Sequence, residues 1–259
     1  MSRFINLEFE GDSHHQSSPD EQAVVKDEAY YLGEARTAFE NGNFEPALRN
    51  YGKVLEFNPK NVVAWAGQVR MLIEMEEFRE AKLWADKALE RFPNEPELLA
   101  AKAVALARNG DLQGAISFSD ASIEERGDTP YVWLARGDVL LARSESRADY
   151  CFEKALLLAP RDWFVAWLAA RIRLYYEQFV LALKNIRQAI ELNPGHFLLW
   201  LEQGRCQQAL NLVGPAELSF NQARQLNKDC LEASRRLIEI SQTGWCARLC
   251  GWLRQAFKR

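Results

Sequence analysis

Ala47, Ala81 and Ala115 stand at a constant interval of thirty-four positions, and Pro59 and Pro93 repeat that interval, each twelve places after its alanine. One position is lost within Arg143-Ser144-Glu145-Ser146-Arg147, and the interval then resumes with Ala148, Ala182 and Ala216 and with Pro160 and Pro194. A fixed period of this length constrains the fold more than composition does. Each copy is one supersecondary unit too small to bury its own apolar side, so copies stack and bury a continuous core between neighbours. Six copies fit between Glu28 and Cys230.

The same residue types recur around these marks. Bulky residues open the units at Tyr31, Trp65, Leu99, Trp133, Trp167 and Trp200. Small residues follow at Ala35, Ala103, Gly137, Ala170 and Gly204, and a second small set stands at Ala88, Ala155, Ala189 and Ala223. Each unit holds two apolar-periodic stretches of about a dozen residues, a length at which an isolated helix is marginal in water. Asn41-Gly42-Asn43 and Asn109-Gly110-Asp111 are expected to break the first helix of a unit from the second, with glycine taking a left-handed cap. Asn61, Asn94, Thr129 and Asp162 are candidate N-caps, with Pro96 and Pro130 in first turns.

The unit Trp65…Leu72…Phe78…Ala81…Ala85…Ala88…Pro93 resembles the tetratricopeptide repeat (TPR), and about 200 residues share its phase. The resemblance implies an all-α solenoid of antiparallel helix pairs stacked in a right-handed superhelix. On that reading residues 1–27 form a flexible acidic segment, 28–230 six TPR units, 231–241 a capping helix and 242–259 a basic amphipathic helix. In the capping helix Leu231, Ser234, Leu237, Ile238 and Ser241 are expected to face the last repeat, and Glu232, Arg235, Arg236 and Glu239 water. The opening tryptophans are read mainly as core.

A formal charge of −4 gives no bulk electrostatic case for nucleic acid. Five cysteines, an odd number without a CxxC pair, form neither a disulfide framework nor a zinc pattern, and they suit a reducing compartment. The amino terminus shows no secretory pattern and no apolar run is long enough to span a bilayer, so a cytoplasmic location is expected. The histidines are His14, His15 and His196, none with a nucleophile that spacing can name, and phosphate-cradling or zinc-protease motifs are absent. The expectation is a chain without catalytic residues, cofactor or metal.

TPR arrays generally hold an extended peptide or a partner domain in a concave groove lined by the first helix of each unit, so the resemblance implies a scaffold or adaptor. The sequence adds a register. Arg36 and Arg70 are one period apart, as are Arg171 and Arg205, and the same place in the two middle units holds Val104 and Asp138. Stacking turns this place into one face carrying two basic patches, suited to an acidic or C-terminal peptide through carboxylate, or to phosphate. The competing reading pairs each arginine with a neighbouring acid such as Glu74 or Glu202. The Lys and Asn set with which chaperone-binding members hold a terminal carboxylate is not found; the matching first-unit places hold Leu32 and Arg36. In the aromatic cluster of the fifth unit, Trp163 and Tyr175 are candidate exposed contacts.

Two tails flank the repeats. Thr243-Gly244 breaks the chain before Trp245, Leu249, Trp252, Leu253 and Phe257, which share a helical side with Arg248, Arg254, Lys258 and Arg259 around it. Such a helix suits a membrane surface, which makes a peripheral membrane adaptor the alternative function; packing on the final repeat or on a protein partner is the competing reading. At the other end Ile5, Leu7 and Phe9 alternate with Asn6, Glu8 and Glu10, a pattern for a short extended motif.

Overall fold

A computed structural model describes residues 26–125 and 127–242. The described chain is helical throughout, with no strand: α1 (Glu28–Glu40), α2 (Phe44–Phe57), α3 (Val62–Glu74), α4 (Phe78–Arg91), α5 (Pro96–Arg108), α6 (Leu112–Glu124), α7 (Pro130–Ala142), α8 (Ala148–Leu158), α9 (Trp163–Tyr175), α10 (Phe179–Leu192), α11 (Phe197–Ala209) and α12 (Val213–Leu226). A further helix, α13, spans 231–242. The odd-numbered helices are the A helices of the pairs and the even-numbered ones the B helices. The chain divides into two compact bodies, one ending at Leu158 and the other beginning at Ala159. In the first, each A helix packs on its own B helix and each B helix on the next A helix, while α5 also touches α3 and α7 directly. In the second, α9, α10, α11 and α12 pack in the same consecutive way.

The alternation of small and large residues produces this packing. Ala47, Ala81, Ala115, Ala148, Ala182 and Ala216 are all buried, and so are Ala88, Ala155, Ala189 and Ala223. A small residue lets the facing helix come close, and a ring then fills the space it leaves. Gly204 lies against Phe220 and Gly137 against Phe152 within their pairs, while Gly67 lies against Tyr51 of the preceding pair.

The turn inside each pair follows one rule. Gly42, Glu76, Gly110, Ser144, Glu177 and Asn211 have positive φ, and each stands two places after the end of its A helix. Only two are glycine, so the sequence marks this turn at α1 and α5 and conceals it elsewhere. The column also locates the lost position. Its spacing is one full period up to Ser144 and one place shorter from Ser144 to Glu177. α8 begins four places after Ser144, whereas the other B helices begin two after their left-handed residue, so the loss lies at 145–147 and α8 has only 11 residues. The A-helix register through α7 is therefore intact, and Asp138 is the equivalent of Arg36 and Arg70. The same count corrects the opening position of the fifth unit. Ala166, not Trp167, stands one shortened period after Trp133 and one full period before Trp200. Trp65 and Trp200 donate their indole N–H to the carbonyl oxygens of Pro59 and Pro194 at 3.0 and 2.8 Å, whereas Trp167, one place later, is wholly enclosed.

Caps agree with expectation at three of four places. The side chains of Asn61, Thr129 and Asp162 accept from Ala64 N, Val132 N and Phe164 N. Asn94 does not cap α5: the chain turns one residue later at Glu95, and Pro96 supplies the first helical residue. Asp27 and Asp111 cap α1 and α6 as well. The α13 register also differs from the expected one. Leu231 and Ile238 face outward, 82% and 56% exposed, while Cys230, Ala233 and Ile240 are buried. The inward side is thus carried by Ala233 and Ile240, and not by Leu231 and Ile238.

Candidate functional site

The A helices of the first body bring one chemically dense cluster together. Arg70 of α3 places its guanidinium 4.0 Å from the ring centroid of Tyr131 at the start of α7 and 5.2 Å from that of Phe39 on α1. One cation thereby joins three A helices, and no carboxylate among the described residues lies within ion-pair reach of it. Cation–ring contacts hold a guanidinium in place without neutralising it. Beside it, Arg108 of α5 forms a bidentate pair with Asp138 of α7, with Nη2 donating to Oδ2 at 2.6 Å and Nε to Oδ1 at 3.3 Å. Both partners are almost wholly buried, their side chains 6% and 1% exposed. Burial raises the Tyr131 hydroxyl pKa above its ordinary value against the lowering field of Arg70, while Glu97, Asp138 and Glu74 add to the rise. Burial likewise raises Tyr51, opposed by Arg70 and Arg36.

The four sequence-predicted arginines therefore differ. Arg36 donates from Nε to Glu40 one turn on at 2.8 Å, and its side chain is largely in water. Arg70 keeps its charge between two rings. In the second body Arg171 and Arg205 converge on one acceptor, Glu202 Oε1, at 3.1 and 3.4 Å. Glu202 is buried, and its second oxygen, Oε2, is enclosed without a hydrogen-bond partner. Arg205 also lies 3.7 Å from Glu232 of α13. Acid pairing accordingly describes Arg36, Arg171 and Arg205, and the Glu74 partner expected for Arg70 is replaced by aromatic rings.

Trp163 and Tyr175 occupy opposite ends of α9, about 18 Å apart at 1.5 Å per residue, so they form no single surface. Trp163 packs on His196 with ring centroids 4.6 Å apart and planes tilted by 33°, and meets Phe164 edge-on. Tyr175 is exposed and packs edge-on against Tyr176. Sequence reasoning missed Tyr131 and Arg108. Neither sits at the arginine register, and only the approach of α3, α5 and α7 brings them to Arg70 and Asp138. The candidate membrane or partner contacts Trp245, Leu249, Trp252, Leu253 and Phe257 lie outside the described residues, as does the amino-terminal motif.

Among the described residues no group of three or more His, Cys, Asp or Glu side chains is placed to hold a metal ion, and no helix is long and apolar enough to cross a membrane. Cys151, Cys206 and Cys230 are buried free thiols. Burial, with Glu202 adding to it, pushes Cys206 up to about 12.

The tetratricopeptide-repeat family model matches residues 38–104, from the end of α1 into α5. Solved structures extend the likeness over most of the chain. TTC0263, a thermophilic TPR protein of Thermus thermophilus, superposes with a TM-score of 0.54 at 21% identity over 71% of this chain and 99% of its own. Residues 38–104 match the tetratricopeptide-repeat family, and the described helices share the TPR fold. A second TPR protein, from Parabacteroides merdae, gives a TM-score of 0.52 at 17% identity over 85% of this chain and 87% of its own. The human IFIT1 dimer, solved with m7Gppp-AAAA, gives 0.51 at 17% identity over 86% of this chain and 57% of its own. No curated protein sequence matches the chain. At these identities the solved TPR structures share a fold with this one and carry no residue-level site across.

Proposed function

We propose that the chain is a non-catalytic interaction scaffold that binds an extended, acidic peptide of a partner protein along the A-helix face of its first body. The observation that supports this is Arg70, an un-neutralised guanidinium held between Phe39 and Tyr131 where α1, α3 and α7 meet. A ligand carboxylate meeting Arg70 gains a charge-assisted hydrogen bond. The rings fix the cation in advance, so little side-chain freedom is lost on binding. Arg36 on the neighbouring helix is largely in water and is the secondary contact, since its bond to Glu40 is an exposed i,i+4 pair that a ligand displaces at small cost. The tetratricopeptide-repeat match over residues 38–104 supports a protein-binding role for such a face.

The test is a peptide-display selection against the purified chain, followed by affinity measurements on Arg70→Ala and on Arg171→Ala. Selected peptides rich in Asp and Glu that lose about 10- to 100-fold affinity on Arg70→Ala, the worth of a charged hydrogen bond, support the assignment. Selected peptides indifferent to Arg70 refute it.

A further inference from the structure

We infer that the outward face of α8, where Tyr150 and Leu157 flank Glu153, docks a basic amphipathic helix of a second partner protein. The first observation is positional. In each B helix the places two and nine residues after the buried, periodic alanine lie on the far side of the helix from it, at 3.6 residues per turn. The ninth place is Glu56, Glu90, Glu124 and Glu191 in four B helices and Gln225 in a fifth, all exposed. Among the described B helices, α8 alone has a large apolar or aromatic residue at both places. They are Tyr150, 62% exposed, and Leu157, 74% exposed. A repeat array keeps this outer seam polar, and an exposed apolar pair rimmed by charge marks a contact surface. The face shares no residue with the Arg70 cluster, so the two partners need not compete.

The second observation is that the face is braced. Trp133 of α7 meets Tyr150 edge-on, with ring centroids 6.0 Å apart. Its indole N–H donates to Asp128 Oδ1 at 2.9 Å. Lys154, one turn after Tyr150, turns its ammonium toward the same Trp133 ring and toward Asp128, at 5.8 and 3.9 Å. The phenol ring is thus held before any partner arrives, as a rigid aromatic contact requires. Charge then selects the occupant. Glu153 is exposed between Tyr150 and Leu157 and makes no ion pair among the described residues. Two copies of this chain joined by a two-fold axis here would set Glu153 against Glu153. An anionic lipid surface would meet Glu153 together with the exposed acids Asp128 and Asp149. A helix that lays apolar side chains on Tyr150 and Leu157 and a Lys or Arg on Glu153 satisfies all three positions.

A display library of single helices with randomised surface positions, selected against the purified full chain, tests this. Selected helices are expected to carry Lys or Arg beside an apolar stripe. They are expected to lose at least about ten-fold affinity on Tyr150→Ala, on Leu157→Ala and on Glu153→Lys. Leu83→Ala on α4 and Arg70→Ala are expected to leave that affinity unchanged. All three α8 side chains are exposed, so urea melts of these variants should match the wild type. Should one melt shift, the other two substitutions decide. Selected helices that lack basic residues, or that are indifferent to the α8 substitutions, overturn the proposal. A dimer in sedimentation that Leu157→Glu abolishes assigns the face to a second copy. Binding to phosphatidylserine vesicles that Leu157→Glu abolishes assigns it to a membrane. Either result also overturns the proposal.

Discussion

Gly204→Ala and Gly33→Ala are the same chemical change with opposite expected signs. Both glycines lie inside A helices, where alanine is intrinsically better by about 0.5–1 kcal/mol because glycine loses more backbone freedom on folding. At Gly33 a Cβ meets nothing within 4 Å, so the whole gain is realised. At Gly204 a Cβ would lie 2.5 Å from Phe220 Cε1 and 2.6 Å from Cδ1, about 1 Å inside ordinary contact. The Phe220 ring is fully buried and has no free volume to move into. Overpacking a filled core costs about 1–3 kcal/mol, which outweighs the propensity gain and leaves Gly204→Ala destabilising by roughly 0.5–2 kcal/mol. Urea denaturation followed by helical circular dichroism measures both variants. Repeat arrays can open in parts, so hydrogen exchange over α1–α2 and α11–α12 locates each effect. A Gly204→Ala protein as stabilised as Gly33→Ala would refute the view that close helix approach, rather than flexibility, fixes this glycine.

Further expectations follow from the described contacts. Asp138→Ala takes the bidentate carboxylate away from the buried Arg108 guanidinium and is expected to cost about 3–5 kcal/mol, with most of it recovered in the double variant Arg108→Met, Asp138→Leu; a single-variant loss below about 1 kcal/mol in urea melts contradicts the buried pair. Glu177→Gly, relieving a left-handed glutamate, is expected to stabilise by up to about 1 kcal/mol, additively with Glu76→Gly in the other body, as thermal melts of the single and double variants will read. Cys206 is protonated in the folded state to about pH 12, while its unfolded form ionises near the ordinary thiol value. Its contribution is therefore complete below about pH 9 and falls as pH rises toward 12. Cys206→Ala should flatten that alkaline decline in urea melts taken across the range, and an unchanged slope counts against the buried thiol.

The period, the small–large alternation and the helix pairs are legible in the sequence because each is a local pattern repeated in phase. The turn column is legible only at Gly42 and Gly110, since Glu76, Ser144, Glu177 and Asn211 take the same conformation without glycine's signature. Trp167, a bulky residue beside Ala166, imitates the opening position, and only a backbone marker separates the two. The arginine register is legible as spacing, but not what each arginine meets. Arg70 finds Tyr131 sixty-one positions on, through the approach of non-consecutive helices, and no periodicity encodes that partner. The outward side of α13 is misread when bulk is taken as the mark of burial, since Leu231 and Ile238 are exposed while Ala233 is enclosed.

The shared carboxylate in the second body has a consequence for competition. Glu202 already sits where an incoming acidic group would meet Arg171 and Arg205, and it is tethered there by α11 itself. An intramolecular group acts at an effective concentration in the millimolar range or above, so a free peptide at micromolar levels does not displace it. Two arginines that look like a binding site by spacing are thus held by a resident ligand, and Glu202→Ala is the change that would vacate it.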